Sequence, residues 1–275
     1  MSLESITLSK ARKSLDKIID ITGLDYADIS DICGKNVSNT HQFFYLGLEN
    51  ANKFLDHLNI DMPSFINNDY CEDTLIKQSQ GLVNTIPEKY IGNMGSKAKT
   101  IKNALSFCSE YSKNCFLKKY QISNAFISND DNRLSVEILG RVFNHAMEST
   151  RSRSIVEEIG KSNATNFIGD FNGLISRNTP LDTAYDTLIE QTRHLIETNL
   201  KYSILSKSKN SVTIQSKRTE EAVSLTKDIE NPEVIFTRNV AGFLAGFSHY
   251  KYDTPLDVKI TSCGPIESTY EVFFR

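Results

Sequence analysis

The residues of this 275-residue chain best suited to metal or nucleophilic chemistry are five cysteines and five histidines, and their spacing argues against both uses. Cys33, Cys71, Cys108, Cys115 and Cys263 form no C-x-x-C pair. His41, His57, His145, His194 and His249 stand far apart, with no H-E-x-x-H among them. Neither the G-x-S-x-G of a nucleophile elbow nor the G-x-G-x-x-G of a dinucleotide site occurs. Gly92-Asn93-Met94-Gly95-Ser96-Lys97 is half of a phosphate loop, its glycines placed before an expected helix whose N-terminus favours an anion. The full G-x-x-x-x-G-K-[ST] spacing is missing and no strand is expected to lead into it, so the segment reads as a helix-capping loop. No catalytic residue, metal site or cofactor is expected.

Hydropathy spacing supplies the elements that would position a site. From Ile6 to Ile21, apolar residues at Ile6, Leu8, Ala11, Leu15, Ile18 and Ile19 follow a helical period that Gly23 stops. Further helices are expected at Tyr26 to Cys33, Thr40 to Leu48 and Leu48 to Leu58, with Asp61-Met62-Pro63 ending the last. The N-terminal third therefore reads as wholly helical. Asp73 to Leu82 and Lys97 to Tyr111 continue that reading. The period then changes: Phe116 to Ile127 and Arg133 to Leu139, joined by Ser128-Asn129-Asp130-Asp131-Asn132, are expected to form a β-hairpin. Helices follow at Val142 to Met147, at Ile155 to Leu174 and from Leu181 to Leu200, the last with Thr179 as N-cap and Pro180 in its first turn. Tyr202 to Leu205 and Ser211 to Gln215 make a second hairpin. The expected fold is α+β, with a helical N-terminal region over residues 1–90 and a mixed domain over 91–275 whose antiparallel sheet is covered by helices. Helix and hairpin recur at 97–139 and 181–215 as an echo of topology.

Composition narrows the partners. The net charge is -3 and the isoelectric point about 6.0, so no global field attracts nucleic acid. Asp28 to Phe44 has the outline of a helix-turn-helix, yet residues 1–75 hold six Lys and Arg against twelve Asp and Glu, which opposes phosphate binding. A structural or dimerising helical bundle is the stronger reading there. Lys97, Lys99, Lys102, Lys113, Lys118 and Lys119 give residues 91–120 a basic excess against Glu110 alone; a solvated face is the simplest reading, and contact with the acidic N-terminal part is the alternative. The odd cysteine number, the polar opening Met-Ser-Leu-Glu-Ser-Ile and the absence of any run near 18 apolar residues predict reduced thiols and a cytoplasmic protein with no membrane span.

The stretch from Val240 to Arg275 carries the most specific pattern. An apolar helix with Gly242 and Gly246 on one face runs into a strand, a tight turn at Cys263-Gly264-Pro265 and a closing strand. This resembles the C-terminal end of the 4-vinyl-reductase-like domain, best over residues 179–275. The resemblance implies the ligand-binding fold shared by NO-signalling sensors and a Golgi-transport component, in which pockets lie between the sheet and its covering helices. Zinc-binding members of that family carry a Cys before the glycine helix, a Glu three residues before the strand Cys, and another Cys in the last strand. Here Thr237, Ile260 and Glu271 stand near those positions, and Cys263 alone cannot hold zinc. The Tyr-x-Ser-x-Arg motif of the haem sensors is absent as well.

The resemblance implies a bacterial sensory or regulatory protein, its ligand a small, largely apolar molecule and its output helix packing or dimerisation. Phe243 and Phe247 form an aromatic stripe that, with Phe236, Tyr250 and Tyr270, is the candidate cavity lining; His194 and Arg238 complete the set of ligand-binding candidates. The expected partners are a small hydrophobic molecule, a second copy in a homodimer and a downstream signalling protein. Three other readings stand beside this one: a ligand-free homodimeric interaction module, a DNA-binding transcription regulator acting through residues 26–45, and an enzyme accessory for a hydrophobic substrate.

Overall fold

The computed structural model describes residues 3–45, 47–82, 84–92, 95–171, 173–252 and 254–274, without the side chains of residues 3–7, Leu48 and 193–195. Two compact units result: residues 1–88 with 111–128, and residues 89–110 with 129–275. No helix of the described residues is long and apolar enough to cross a membrane.

The first unit is helical. Its elements are α1 (Leu3–Thr22), α2 (Tyr26–Cys33), α3 (Thr40–Tyr45), α4 (Leu48–His57), α5 (Met62–Asn67) and α6 (Glu72–Ser79), to which the later segment adds most of α8 (Glu110–Lys119) and α9 (Asn124–Ser128). Ala11, Leu15 and Ile18 put one stripe of α1 into a core with Ile29, Phe43, Phe54, Leu55 and Phe65. Asp25 caps α2, accepting from the backbone N–H groups of Ala27 and Asp28, while Gly34 ends that helix in the left-handed region at φ 67°. Asp61-Met62-Pro63 starts a helix instead of ending one. The Asp61 carboxylate accepts the Ser64 N–H at 2.7 Å and Pro63 sits in the first turn, where its missing N–H costs nothing.

The second unit holds a two-stranded ribbon, a four-stranded sheet and the helices around them. In chain order they are β1 (Gly95–Lys97), α7 (Ala98–Ser106), β2 (Arg133–Ser135), α10 (Val136–Thr150), α11 (Ile155–Phe167), α12 (Leu181–Leu195), β3 (Leu200–Lys207), β4 (Ser211–Arg218), α13 (Glu220–Leu225), α14 (Pro232–Phe247), β5 (Asp257–Cys263) and β6 (Glu267–Phe273). The sheet is antiparallel throughout in the order β3-β4-β6-β5. Val212, Ile214, Ser216, Ser268, Tyr270 and Val272 alternate onto its buried face, and the partly exposed Thr213, Gln215, Thr269 and Glu271 onto the other. The fold is therefore α+β, with helices and antiparallel sheets.

The hairpin expected over 116–139 is not formed. Phe116 and Tyr120 lie one helical turn apart with ring centroids 4.7 Å from each other, a pairing that belongs to α8. Val136, Ile138 and Leu139 begin α10, where Val142, Phe143 and Ala146 continue the same buried face. Alternation over so few β-branched residues did not distinguish a strand from a buried helix start. The topological echo disappears with the hairpin. A strand does precede α7: β1 pairs with β2, and a Cβ on Gly95 would run into the Leu134 carbonyl. Gly95 is thus a packing glycine. Further along, Pro180 itself is the N-cap of α12, while the Thr179 hydroxyl turns back to accept the Ser176 N–H at 2.9 Å.

α14 is buried on nearly all sides and rests on α11 through glycines. A Cβ on Gly242 would overlap the Glu157 carbonyl oxygen; one on Gly246 would stand 2.6 Å from the Lys161 oxygen; one on Gly160 would stand 2.8 Å from the Phe243 nitrogen. On α14's other side the Tyr185 hydroxyl of α12 donates to the Leu244 carbonyl at 2.6 Å, so α11 and α12 both close on it.

Gly242→Ala should cost at least ~2 kcal/mol despite alanine's better helix propensity, since the backbones must part. Gly169→Ala, where nothing lies within 4 Å, should be close to neutral. Chemical denaturation of both variants reads the difference, and equal stabilities would contradict the close-packing assignment.

Candidate functional site

A surface groove of about 510 Å³ opens in the second unit between the end of α10, the start of α11 and the start of α14. Arg151, Arg153 and Arg238 line it together with Glu148 and Glu230, and Met147, Val156, Val234 and Ile235 supply an aliphatic wall. The turn between α10 and α11 sets the first two arginines, because Arg151 ends α10 in the left-handed region at φ 54°. Asn231, also left-handed at φ 47°, and Pro232 begin α14. Neither α11 nor α14 has a side chain capping its N-terminus. Among the described residues the guanidinium groups of these three arginines make no hydrogen bond or ion pair, while that of Arg218 is used structurally. Its guanidinium donates to the Pro265 and Ala222 carbonyls and to Thr226, and lies 5.1 Å from the Phe236 ring centroid.

A second, polar crevice of about 20 Å³ lies deeper in the unit, lined by Ser96, Thr100, Asn163, Glu197, Tyr202 and Asn239 with Phe243 at one side. That volume suits a single water. The Tyr202 hydroxyl donates to the Glu197 carboxylate at 2.6 Å, and Ser96 to Thr100 at 2.8 Å. Glu197 follows α12, where the chain leaves the helix earlier than expected: Glu197 bridges to Ser96, and the Thr198 N–H donates to the Gly95 carbonyl at 3.1 Å. Burial pushes the Glu197 carboxyl above its ordinary range, with the hydrogen bonds from Tyr202 and Asn199 opposing it.

Phe243, Phe247, Tyr250 and Tyr270 share one core with α12 and the sheet, whereas Phe236 packs against Phe143 of α10 with ring centroids 6.2 Å apart. Phe247 lies 5.6 Å from Tyr185, 5.4 Å from Phe171, 5.8 Å from Tyr250 and 6.5 Å from Phe243, so the rings pack largely on one another. The Tyr250 hydroxyl donates to the Thr179 carbonyl at 3.1 Å. Tyr270 is fully buried within 3.1 Å of the Ser216 hydroxyl, and burial pushes its phenol up to about 12. Arg238 is separated from this cluster and lines the groove. The side chain of His194 lies outside the described residues. The His249 ring nitrogen meets the Gly246 carbonyl at 2.9 Å.

Thr237 and Cys263, near the zinc positions of the resembled family, are adjacent: the thiol donates to the Thr237 hydroxyl at 3.4 Å, and Thr237 is 2.6 Å from the Ser268 hydroxyl. One thiol among hydroxyls does not fit zinc. No group of three His, Cys, Asp or Glu that could hold a metal occurs among the described residues. The basic run is divided between the two units, and the lysines of the second unit pair inside it. Lys97 lies 2.8 Å from Asp131, Lys99 lies 3.4 Å from Asp170, and Lys102 pairs with Asp130. Lys118, which belongs to the first unit, pairs with Asp56 of that same unit. α3, the second helix of the helix-turn-helix outline, carries no lysine or arginine.

Sequence reasoning missed Arg151 and Arg153 and the carboxyl of Glu197. The closely spaced arginines in Thr150-Arg151-Ser152-Arg153 were the available signal for the first two. No family model, curated protein or solved structure matches the chain.

Because the native state holds the Glu197 proton above the pH at which the unfolded chain releases it, folding stability should fall as pH rises from the ordinary carboxylate range to the raised native value. Glu197→Gln stays neutral and can still accept from Tyr202. It should match the wild type at pH 4 and exceed it at pH 8 in urea denaturation; a pH dependence identical to the wild type's would contradict the buried-carboxyl assignment.

Proposed function

We propose that this protein is a ligand-responsive regulatory protein without catalytic activity, and that its second unit receives a small molecule in the groove at the ends of α10, α11 and α14. The carrying observation is the place of that groove. It opens where α11 and α14 begin, and those helices touch backbone to backbone through Gly160, Gly242 and Gly246. A molecule bridging Arg151 and Arg153 to Arg238 would favour one relative setting of the two helices, which is the differential contact a population shift requires. The sheet order β3-β4-β6-β5 beneath a glycine-faced helix supports kinship with the 4-vinyl-reductase-like, NO-signalling and Golgi-transport fold. This reading keeps the small-molecule input that the resemblance implied. It puts the ligand in the groove, because the rings of Phe243, Phe247 and Tyr250 already fill much of the space around one another.

Native mass spectrometry tests this. The gently purified protein should carry a bound mass above that of the chain, and Val234→Trp, which fills the groove from a position 40% exposed, should remove it. A bare wild-type chain, or a bound mass unaffected by the tryptophan, would contradict the proposal.

A further inference from the structure

Resting on the groove as the ligand site, we infer that its ligand is an organic phosphate ester bearing neighbouring hydroxyl groups. Three guanidinium groups line one opening without an ion-pair partner among the described residues, and the two carboxylates beside them leave the lining with an excess of positive charge that favours an anion. Guanidinium presents a planar fork that matches two oxygens of a phosphate, the geometry in which arginine outperforms lysine.

Two carboxylates refine the class. Glu148 and Glu230 line the same opening, yet neither forms an ion pair with Arg151, Arg153 or Arg238; Glu230 receives only the Asn231 amide, at 3.4 Å. A bare anion would meet their repulsion. A ligand whose hydroxyl groups donate to the carboxylates while its phosphate accepts from the arginines satisfies both sets of charge. The wall supports the same class. Met147, Val156, Val234 and Ile235 are aliphatic and no aromatic ring lines the groove, which suits a saturated carbon skeleton better than a stacked base. A volume of about 510 Å³ admits a sugar phosphate with space to spare.

Isothermal titration calorimetry with ribose 5-phosphate, inorganic phosphate and ribose as probes tests the inference on the full chain. Ribose 5-phosphate should bind at least about tenfold more tightly than either fragment, because the arginines and the carboxylates then act together. Arg238→Gln should weaken the ester at least about tenfold. Glu148→Gln should weaken the ester while leaving inorganic phosphate equal or tighter. Thermal melts confirm that each variant is folded. Inorganic phosphate binding as tightly as the ester, or an ester affinity indifferent to Arg238, would overturn the inference. If none of the phosphates binds but Val234→Trp still removes the native bound mass, the ligand class is wrong and the groove stands. If the tryptophan leaves that mass in place, the groove reading fails with it.

Discussion

The backbone contact between α11 and α14 is the constraint to which the rest of the second unit is fitted. Side chains normally hold helix axes 8–10 Å apart. Here Gly160, Gly242 and Gly246 remove the intervening Cβ atoms, and carbonyl oxygens of Glu157, Lys161 and Asn239 occupy the space. Such a contact has little tolerance: a single methyl group cannot be absorbed by rotating a side chain when the obstructing atom is backbone. The Asn239 amide reinforces it by donating to the Val156 carbonyl at 3.2 Å.

Other features of the unit follow from that contact. With one face of α14 closed by α11, the opposite side takes Phe243, Phe247 and Leu244 toward α12 and the sheet, where Tyr185 and Tyr270 are wholly buried. Burying two phenols requires partners for their hydroxyls, which the Leu244 carbonyl and Ser216 provide. Polar groups left between α11, α14 and the ribbon gather in the crevice around Glu197, and the charged groups at the helix starts gather in the groove. Asn239 lines the crevice while its amide meets Val156, a residue of the groove wall, so the two sites share the same helix contact. A ligand in the groove, as proposed, would thereby act on the same structural element as protonation of Glu197.

The sequence made part of this legible. Val240 to Arg275 gave a glycine-faced helix and two strands, since the glycines, the Cys263-Gly264-Pro265 turn and the alternation of Ser268, Tyr270 and Val272 all agreed locally. The helical character of the N-terminal third was readable from its apolar stripe, although Asp61-Met62-Pro63, read as a helix end, begins α5. Residues 116–139 were not, because Phe116, Val136 and Ile138 have side chains at home in a strand, while their burial on α8 and α10 is decided by neighbours distant in sequence. The site suffered the same limit. Arg238 was a candidate from the outset, but its grouping with Arg151 and Arg153 depends on two left-handed residues, Arg151 itself and Asn231, that turn separate segments toward one opening. Glu197 looked like the end of a helix and became a buried carboxyl only once Thr198 paired with β1.

The central claim is that the α11–α14 contact holds the second unit together, and hydrogen exchange followed by mass spectrometry in Gly160→Ala tests it most directly. The added methyl group lies between the helices, against the backbone of Asn239 and Phe243, neither of which lines the groove. The account predicts faster exchange along α11 and α14 together, extending into β4 and β6, with the helices of the first unit as the internal reference. Faster exchange confined to the immediate neighbours of residue 160, with α14 and the sheet as protected as in the wild type, would contradict it.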